Sequence, residues 1–395
     1  VPTCTVPEAR RLVEEWIVRH RALPPAETVP LEEAGGRVLA EDLAADRDYP
    51  PLARSIRDGF AVRHTDVPGQ LRLVGEVRAG AVAESPVGPG EAIEIMTGAP
   101  LPEGADAVVM VEYARREGER IVIERPAAAG EFVHPRGAEA RAGDRLLAAG
   151  QRLDYARVAL AAMIGRTAVR VYPRPRVAIL ATGDEIVDAG GPVADHQIRN
   201  SNSYSLAEQV RRAGGEPAIL PVAKDSLDDT RRRIQQGLAC DLLLLSGGVS
   251  AGKYDLVEPV LAELDAEFVF DRVLIQPGQP LVFGRARGKF FFGLPGNPAS
   301  TMVTFELFAR LAIELLGGQE AAPLPLGRAR LTCEFRHRPG LMRFLPAWVA
   351  GGELTPIPWA GSSDIAAVAR ANAFLVAAPD RPVYQSGEEM EFLPR

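Results

Sequence analysis

RVAILATGDE at residues 176–185 and DLLLLSGGVSAGKYD at 241–255 decide the fold. Each is an apolar run that stops abruptly at a small, polar, glycine-containing turn. Residues 177–181 and 242–245 read as strands covered on both faces, because a continuous apolar run bounded by turn residues fits a buried strand. Gly183, Gly247 and Gly248 carry no Cβ to hold a ligand away from the backbone. In an open α/β sheet, ligands sit at the carboxyl ends of the strands. Both turns carry acids, Asp184 and Glu185 in the first and Asp255 just beyond the second. Either turn alone would be an ordinary strand end with solvated acids. Two in one sheet point to a site, and facing carboxylates suggest a divalent cation held between them and a charged ligand.

Around this centre the chain alternates strands and helices, the signature of a mostly parallel α/β sheet. Residues 203–213 predict a helix closed by Gly214 and Gly215, 218–221 a strand, and 226–238 a helix capped by Ser226. Helix 255–264 follows the second turn, and 268–270 and 281–294 add strands. Asn297 then caps a long helix with Pro298 at its first position, and that terminus reads as an exposed anion site. Pro173 and Pro175 mark a linker before the unit, Pro323 and Pro325 one after it.

Towards the N-terminus, Thr5 and Glu8 form a capping-box pair for a helix over 5–20. Residues 31–42 predict a second, weaker helix. From 46 to 137 the texture changes to short Val- and Ile-rich runs at 71–78, 91–96, 107–112 and 120–124, an all-β insert. Helical pattern returns at 154–164, with Asp154 as N-cap and Gly165 as stop. The expected architecture is therefore multidomain α/β plus β. A discontinuous helical domain spans 1–45 and 138–173, the β insert 46–137, the α/β domain 174–319, and a C-terminal domain of short strands 320–395.

At 395 residues the chain exceeds what one core supports. A net charge of −7 argues against a nucleic-acid partner. Three widely separated cysteines fit neither a disulfide framework nor a zinc knuckle, which points to a reducing, cytoplasmic compartment. No apolar stretch reaches membrane-spanning length, and Val1 opens no signal-peptide pattern. The five histidines show no metal-ligand spacing. Residues 248–252 match G-x-S-x-G, but Ser246, Gly247 and Gly248 separate Ser250 from the strand end, so a nucleophile elbow and a serine hydrolase are disfavoured.

Four separated motifs carry more. They are SIRDGFA at 55–61; MTGAP at 96–100 with PEGADAV at 102–108; ATGDE at 181–185 with IRNSN at 198–202; and SGGVS at 246–250 with Asp255, QPGQP at 276–280 and GLPGNP at 293–298. Together, and in order, they resemble the molybdopterin molybdenumtransferase family, to which the gephyrin E domain is also similar. The resemblance implies an L-shaped, four-part subunit with a C-terminal β-barrel, a homodimer, and an active cleft completed by the partner's insert and barrel. It implies transfer of molybdate into adenylylated molybdopterin with release of AMP, using a divalent cation taken to be Mg²⁺. The adenylyltransferase of the same pathway is a further expected partner. A catalytically silent scaffold of the same fold and the adenylyltransferase activity itself are the rival readings.

On this resemblance Asp58, Thr97, Glu185, Asp225 and Asp255 are the catalytic candidates. Glu185, Asp225 and Asp255 would hold the cation, which acts as a Lewis acid at phosphorus. Asp58 would position water or molybdate, and Thr97 would donate to an oxyanion. Substrate binding falls to Thr182, Gly183, Asp184, Ser246, Gly247, Gly248, Ser250, Lys253, Pro295, Gly296, Asn297 and Pro298, with the glycine N–H groups cradling phosphate. The chain departs from the pattern twice. Gln276 and Gln279 stand where the loop usually has lysine, and residues 340–346 read GLMRFLP instead of G-R-x-E-F-x-R. Lys253 is expected to supply the charge missing from the glutamine loop, with Arg57 as fallback.

Overall fold

The 177–181 and 242–246 segments lie side by side as parallel strands, Val177 opposite Leu242 and Ala181 opposite Ser246. The computed structural model describes residues 3–248 and 256–395. Alternate side chains of the two strands enter separate cores: Val177, Ile179, Leu242 and Leu244 one, Ala178, Leu180, Leu243 and Leu245 the other. That is why the sequence runs are apolar without a break. The sheet continues in the order Thr3–Cys4, Glu267–Val273, Pro280–Ala286, Lys289–Leu294, Leu242–Ser246, Arg176–Ala181, Glu216–Ile219. Pairing is parallel except where Pro280–Ala286 meets its two neighbours.

Helices Asn202–Arg212 and Pro298–Thr304, the latter extended by a π turn at Phe305–Ala309 and by Arg310–Leu316, cover one face. Leu227–Gly237 and Val257–Glu263 cover the other. Ser226 caps its helix through the Asp229 N–H at 3.3 Å, as the sequence predicts.

Two expectations change. The N-terminal helix, Val6–His20, packs on the α/β unit and not with the segments around 138–173. Its buried stripe of Val6, Ala9, Val13 and Ile17 enters the sheet core. The guanidinium groups of Arg10 and Arg21 donate to the Leu307 and Leu315 carbonyls. An amphipathic stripe identifies a helix but not the surface it covers. Residues 31–42 form no α-helix. A 3₁₀ turn spans only Leu31–Glu33, Gly36 with φ 76° cannot continue a helix, and Val38–Leu39 pairs as a strand with Ala168–Tyr172.

Segments on both sides of the insert share a core of Val29, Leu39, Leu43, Leu147, Leu153 and Val169. It holds the Tyr155–Met163 helix, N-capped by Asp154 through the Arg157 N–H at 2.9 Å. The insert carries a six-stranded sheet that includes Gly59–Val62, Gly69–Val77, Glu91–Ile95, Ala107–Met110 and Arg120–Ile123.

At the C-terminus, Met342–Ala350, Glu353–Pro356, Gly327–Leu331, Glu389–Pro394 and Ala373–Ala377 pair in that order, and the last closes on the first. This five-stranded barrel is tied to the α/β unit by Ile275–Gln276, which pairs parallel with Met342 and Arg343. No helix among the described residues is long and apolar enough to cross a membrane.

Candidate active site

Where the parallel strands end, the backbone opens. Gly247 has φ 93°, and a Cβ there would lie 3.1 Å from the Thr182 carbonyl oxygen, so the two strand-end turns approach as only glycine permits. Gly183 has φ 133°, and the Glu185 carboxylate folds over it, with Oε2 2.4 Å from where a Cβ would stand. The next turn is locked to this one by reciprocal bonds. The Asp184 N–H donates to Asp225 Oδ2 and the Asp225 N–H to Asp184 Oδ1, each at 3.3 Å. Asp184, Glu185 and Asp225 are therefore neighbours on one exposed rim.

A cleft of about 1030 Å³ lies against these turns. Its floor includes Thr182, Ser246, Gly247, Gly248, Pro295 and Gly296; Glu185, Asn297 and Pro298 also line it. The far wall is the barrel side, with Leu341, Trp359, Ser362 and Ser363, and the loop from Gln276 to Pro280 closes one end. Asn202 cross-links the floor, its Nδ2 donating to Ser246 Oγ at 2.8 Å and to the Gly296 carbonyl at 2.7 Å.

The helix start at Asn297 is not the open anion site expected from sequence. Pro298 has no N–H, and the Ala299 N–H donates to the Ser362 carbonyl at 2.9 Å. The Asn297 side chain makes no cap. Its Nδ2 donates to Ser362 Oγ at 2.9 Å, so this residue joins the helix to the barrel. Asp364 stiffens the same loop by accepting from Ala360 N and Ala367 N, at 3.0 and 2.9 Å, and these N–H donors hold its carboxyl below the usual range.

Asp58 and Thr97 lie on the insert and do not line this cleft. They touch each other. Asp58 Oδ1 accepts the Thr97 N–H at 2.6 Å and the Thr97 hydroxyl at 2.7 Å, and both donors depress the Asp58 pKa. Gly59, next in sequence, lets the Ala107–Met110 strand pack close beside it, because a Cβ would sit 2.0 Å from the Val109 carbonyl oxygen.

Ser250, Lys253 and Asp255 lie outside the described residues, so the expected cation triad is represented by Glu185 and Asp225. Among the described residues no group of three His, Cys, Asp or Glu side chains is placed to hold a metal ion. His337, the histidine a serine hydrolase would need, turns Nδ1 to the Arg338 carbonyl and to Arg343 Nε, both at 3.1 Å.

Sequence reasoning passed over Asn202, Trp359, Leu341 and Ser362 as site residues. Asn202 had a signal, since it closes the IRNSN motif. Trp359 and Ser362 had none, because only the docking of the barrel brings that loop to the cleft, with Ser362 against Asn297, 65 residues away in the chain. Leu341 takes the place of the arginine in G-R-x-E-F, which leaves the barrel wall apolar at that point.

Three family models match successive stretches. The MoeA N-terminal region (domain I and II) matches residues 4–165, a probable molybdopterin binding domain 178–314, and the MoeA C-terminal region (domain IV) 328–394. The chain is 32% identical over 390 residues to the molybdopterin molybdenumtransferase of Staphylococcus aureus strain Mu50, covering 95% of this chain and 93% of that protein. It is 34% identical over 383 residues to the enzyme of the same name from Bacillus subtilis strain 168, covering 93% and 89%. The crystal structure of the molybdopterin biosynthesis moeA protein from Pyrococcus horikoshii OT3 superposes with a TM-score of 0.84 at 29% identity, with all of both chains covered. By sequence over nearly its whole length, and by fold, the chain belongs to the molybdopterin molybdenumtransferase family.

Proposed function

We propose that this protein inserts molybdate into adenylylated molybdopterin, yielding molybdenum cofactor and AMP. One observation carries the reading: a large cleft whose floor is glycine backbone at parallel strand ends and which Glu185 lines, with the Asp184–Asp225 pair in the adjoining turns just outside the lining. Such a floor lets N–H groups approach phosphate closely. A pure scaffold has no use for clustered rim carboxylates.

We infer further that the site uses Mg²⁺. Two rim carboxylates together with substrate phosphate oxygens match the habit of this cation, which keeps few protein ligands. When bound, it supplies positive charge against the scissile phosphorus. Within the chain, Glu185 and Asp225 set the negative rim, Asn202 holds the Ser246 and Gly296 turns in place, and Trp359 offers an aromatic wall to the substrate. Asp58 and Thr97 would reach such a cleft from the insert of a second copy, so the proposed working unit is a homodimer. A cytoplasmic location and substrate supply by the pathway's adenylyltransferase belong to the same reading.

Incubating the protein with molybdopterin-AMP, molybdate and Mg²⁺ tests it. Molybdate-dependent AMP release, followed by chromatography, is the expected result. No release would favour the scaffold. Formation of the adenylate from ATP and molybdopterin would favour the adenylyltransferase activity.

A further inference from the structure

Arg199 is the one cationic side chain among the described residues that line the cleft, and Glu185 the one carboxylate. The substrates of the proposed reaction are anionic, with a pyrophosphate in one and an oxyanion as the other. The remaining polar lining is uncharged; Gln276, Gln279, Asn202, Asn297, Ser246 and Ser362, among others, can donate hydrogen bonds but carry no charge. Leu341 contributes none, and Arg343, in register with Gln276, turns its guanidinium to the Arg338 carbonyl at 3.1 Å.

The backbone of Arg199 is fixed to the rim acid. Val187 pairs with Arg199 in a short parallel ladder, the Ile198 N–H donates to the Glu185 carbonyl at 2.9 Å, and the Asn200 N–H donates to the Val187 carbonyl at 2.8 Å. Asn200, buried, then anchors the chain to the following helix through Ser203 N at 3.1 Å and Ser203 Oγ at 2.9 Å. The guanidinium itself is barely engaged. It makes one long bond, Nη2 to the Gly191 carbonyl at 3.4 Å, and no carboxylate among the described residues pairs with it. A planar fork of donors is thus held at the cleft on a braced backbone, with most donors open.

We propose that Arg199 is the anion anchor of this cleft, its guanidinium binding a tetrahedral oxyanion of the substrates, the phosphoryl group of the adenylylated pterin or molybdate. The proposal rests on the molybdenum-insertion reading for the identity of the oxyanion, and on the cleft alone for the site. It makes Arg199 the residue that offsets the uncharged Gln276–Gln279 loop.

The experiment titrates intact protein with AMP and, separately, with molybdate by calorimetry at two salt concentrations. Wild type, Arg199→Gln and Arg199→Lys are compared, with melting temperature as the control for folding. Arg199 is exposed, so all three are expected to melt alike. Arg199→Gln should weaken one of the two ligands by about tenfold or more and flatten its salt dependence, because a charge-assisted hydrogen bond is lost. Arg199→Lys should restore part of it, as a point charge without the fork. Whichever ligand responds identifies the oxyanion. Unchanged affinity for both in Arg199→Gln overturns the proposal, as does wild-type protein that binds neither. If wild type releases AMP from the adenylate while Arg199→Gln binds as tightly, the anchor falls and the functional reading stands. If oxyanion binding depends on Arg199 but no AMP is released, the reverse holds.

Discussion

Thr97 holds Asp58 twice, its backbone N–H and its hydroxyl both donating to Oδ1, at 2.6 and 2.7 Å. The two residues are 39 positions apart and come from different strand ends of the insert. They form one unit, a carboxylate kept ionised and aimed by a threonine.

Replacing Thr97 by Val should therefore move Asp58. Its pKa is depressed in the fold, so the stabilising effect of the contact is present above the unfolded value, about 3.9, and is lost as pH falls through the folded value. A carbon-detected NMR titration of Asp58 should show a lower midpoint in wild type than in Thr97→Val. Thr97→Ser keeps both donors and should leave the midpoint in place. Equal midpoints in all three would show that the hydroxyl does not tune the acid.

The rim acids should act on turnover and not on folding. Glu185→Ala and Asp225→Ala are expected to cut AMP release by about a hundredfold or more, with melting temperatures close to wild type because both side chains are exposed. Excess Mg²⁺ should recover part of the loss. Normal AMP release in both variants would make these acids solvated turn residues.

Separation of the Asp58–Thr97 pair from the cleft makes a mixing test possible. Asp58→Ala and Glu185→Ala proteins, each inactive alone, are unfolded together and refolded as a mixture. If a site joins the α/β unit of one copy to the insert of another, half of the dimers carry one intact site, and about a quarter of wild-type activity returns. Light scattering checks the dimer. No recovery from a mixture that scatters as a dimer would place both residues in one chain's site.

Asn202 should matter to both stability and turnover. Asn202→Ala removes the bonds to Ser246 Oγ and the Gly296 carbonyl, and leaves the buried Ser246 hydroxyl without this donor, while the exposed Gly296 carbonyl turns to water. A loss of about 1–3 kcal/mol in urea unfolding is expected. A variant as stable as wild type would mean that water replaces the amide at no cost.

Much of this molecule could be read from its residues. Unbroken apolar runs at 177–181 and 242–245 identified strands covered on both faces, since burial on two sides leaves no position for a polar residue. Glycine at 183 and 247 marked the turns, because the backbone there takes φ of 133° and 93°, which a side chain disfavours. Linear motifs carried the family, and the caps at Ser226 and Asp154 followed from local chemistry between residues three apart.

What tertiary structure alone decided is which surfaces meet. Helix Val6–His20 has an apolar stripe that would suit several cores, and only packing assigned it to the α/β sheet. The helix start at Asn297 looked open in sequence; the barrel, docked through Gln276 and Arg343, occupies it with Ser362. Residues 31–42 had some helical pattern, yet the strand partner of Val38 lies beyond residue 167, outside any local window. Local rules fix elements because their hydrogen bonds close within a few residues. Clefts form between elements far apart in the chain, so their walls, and the charge left in them at Arg199, are settled only when the whole chain has folded.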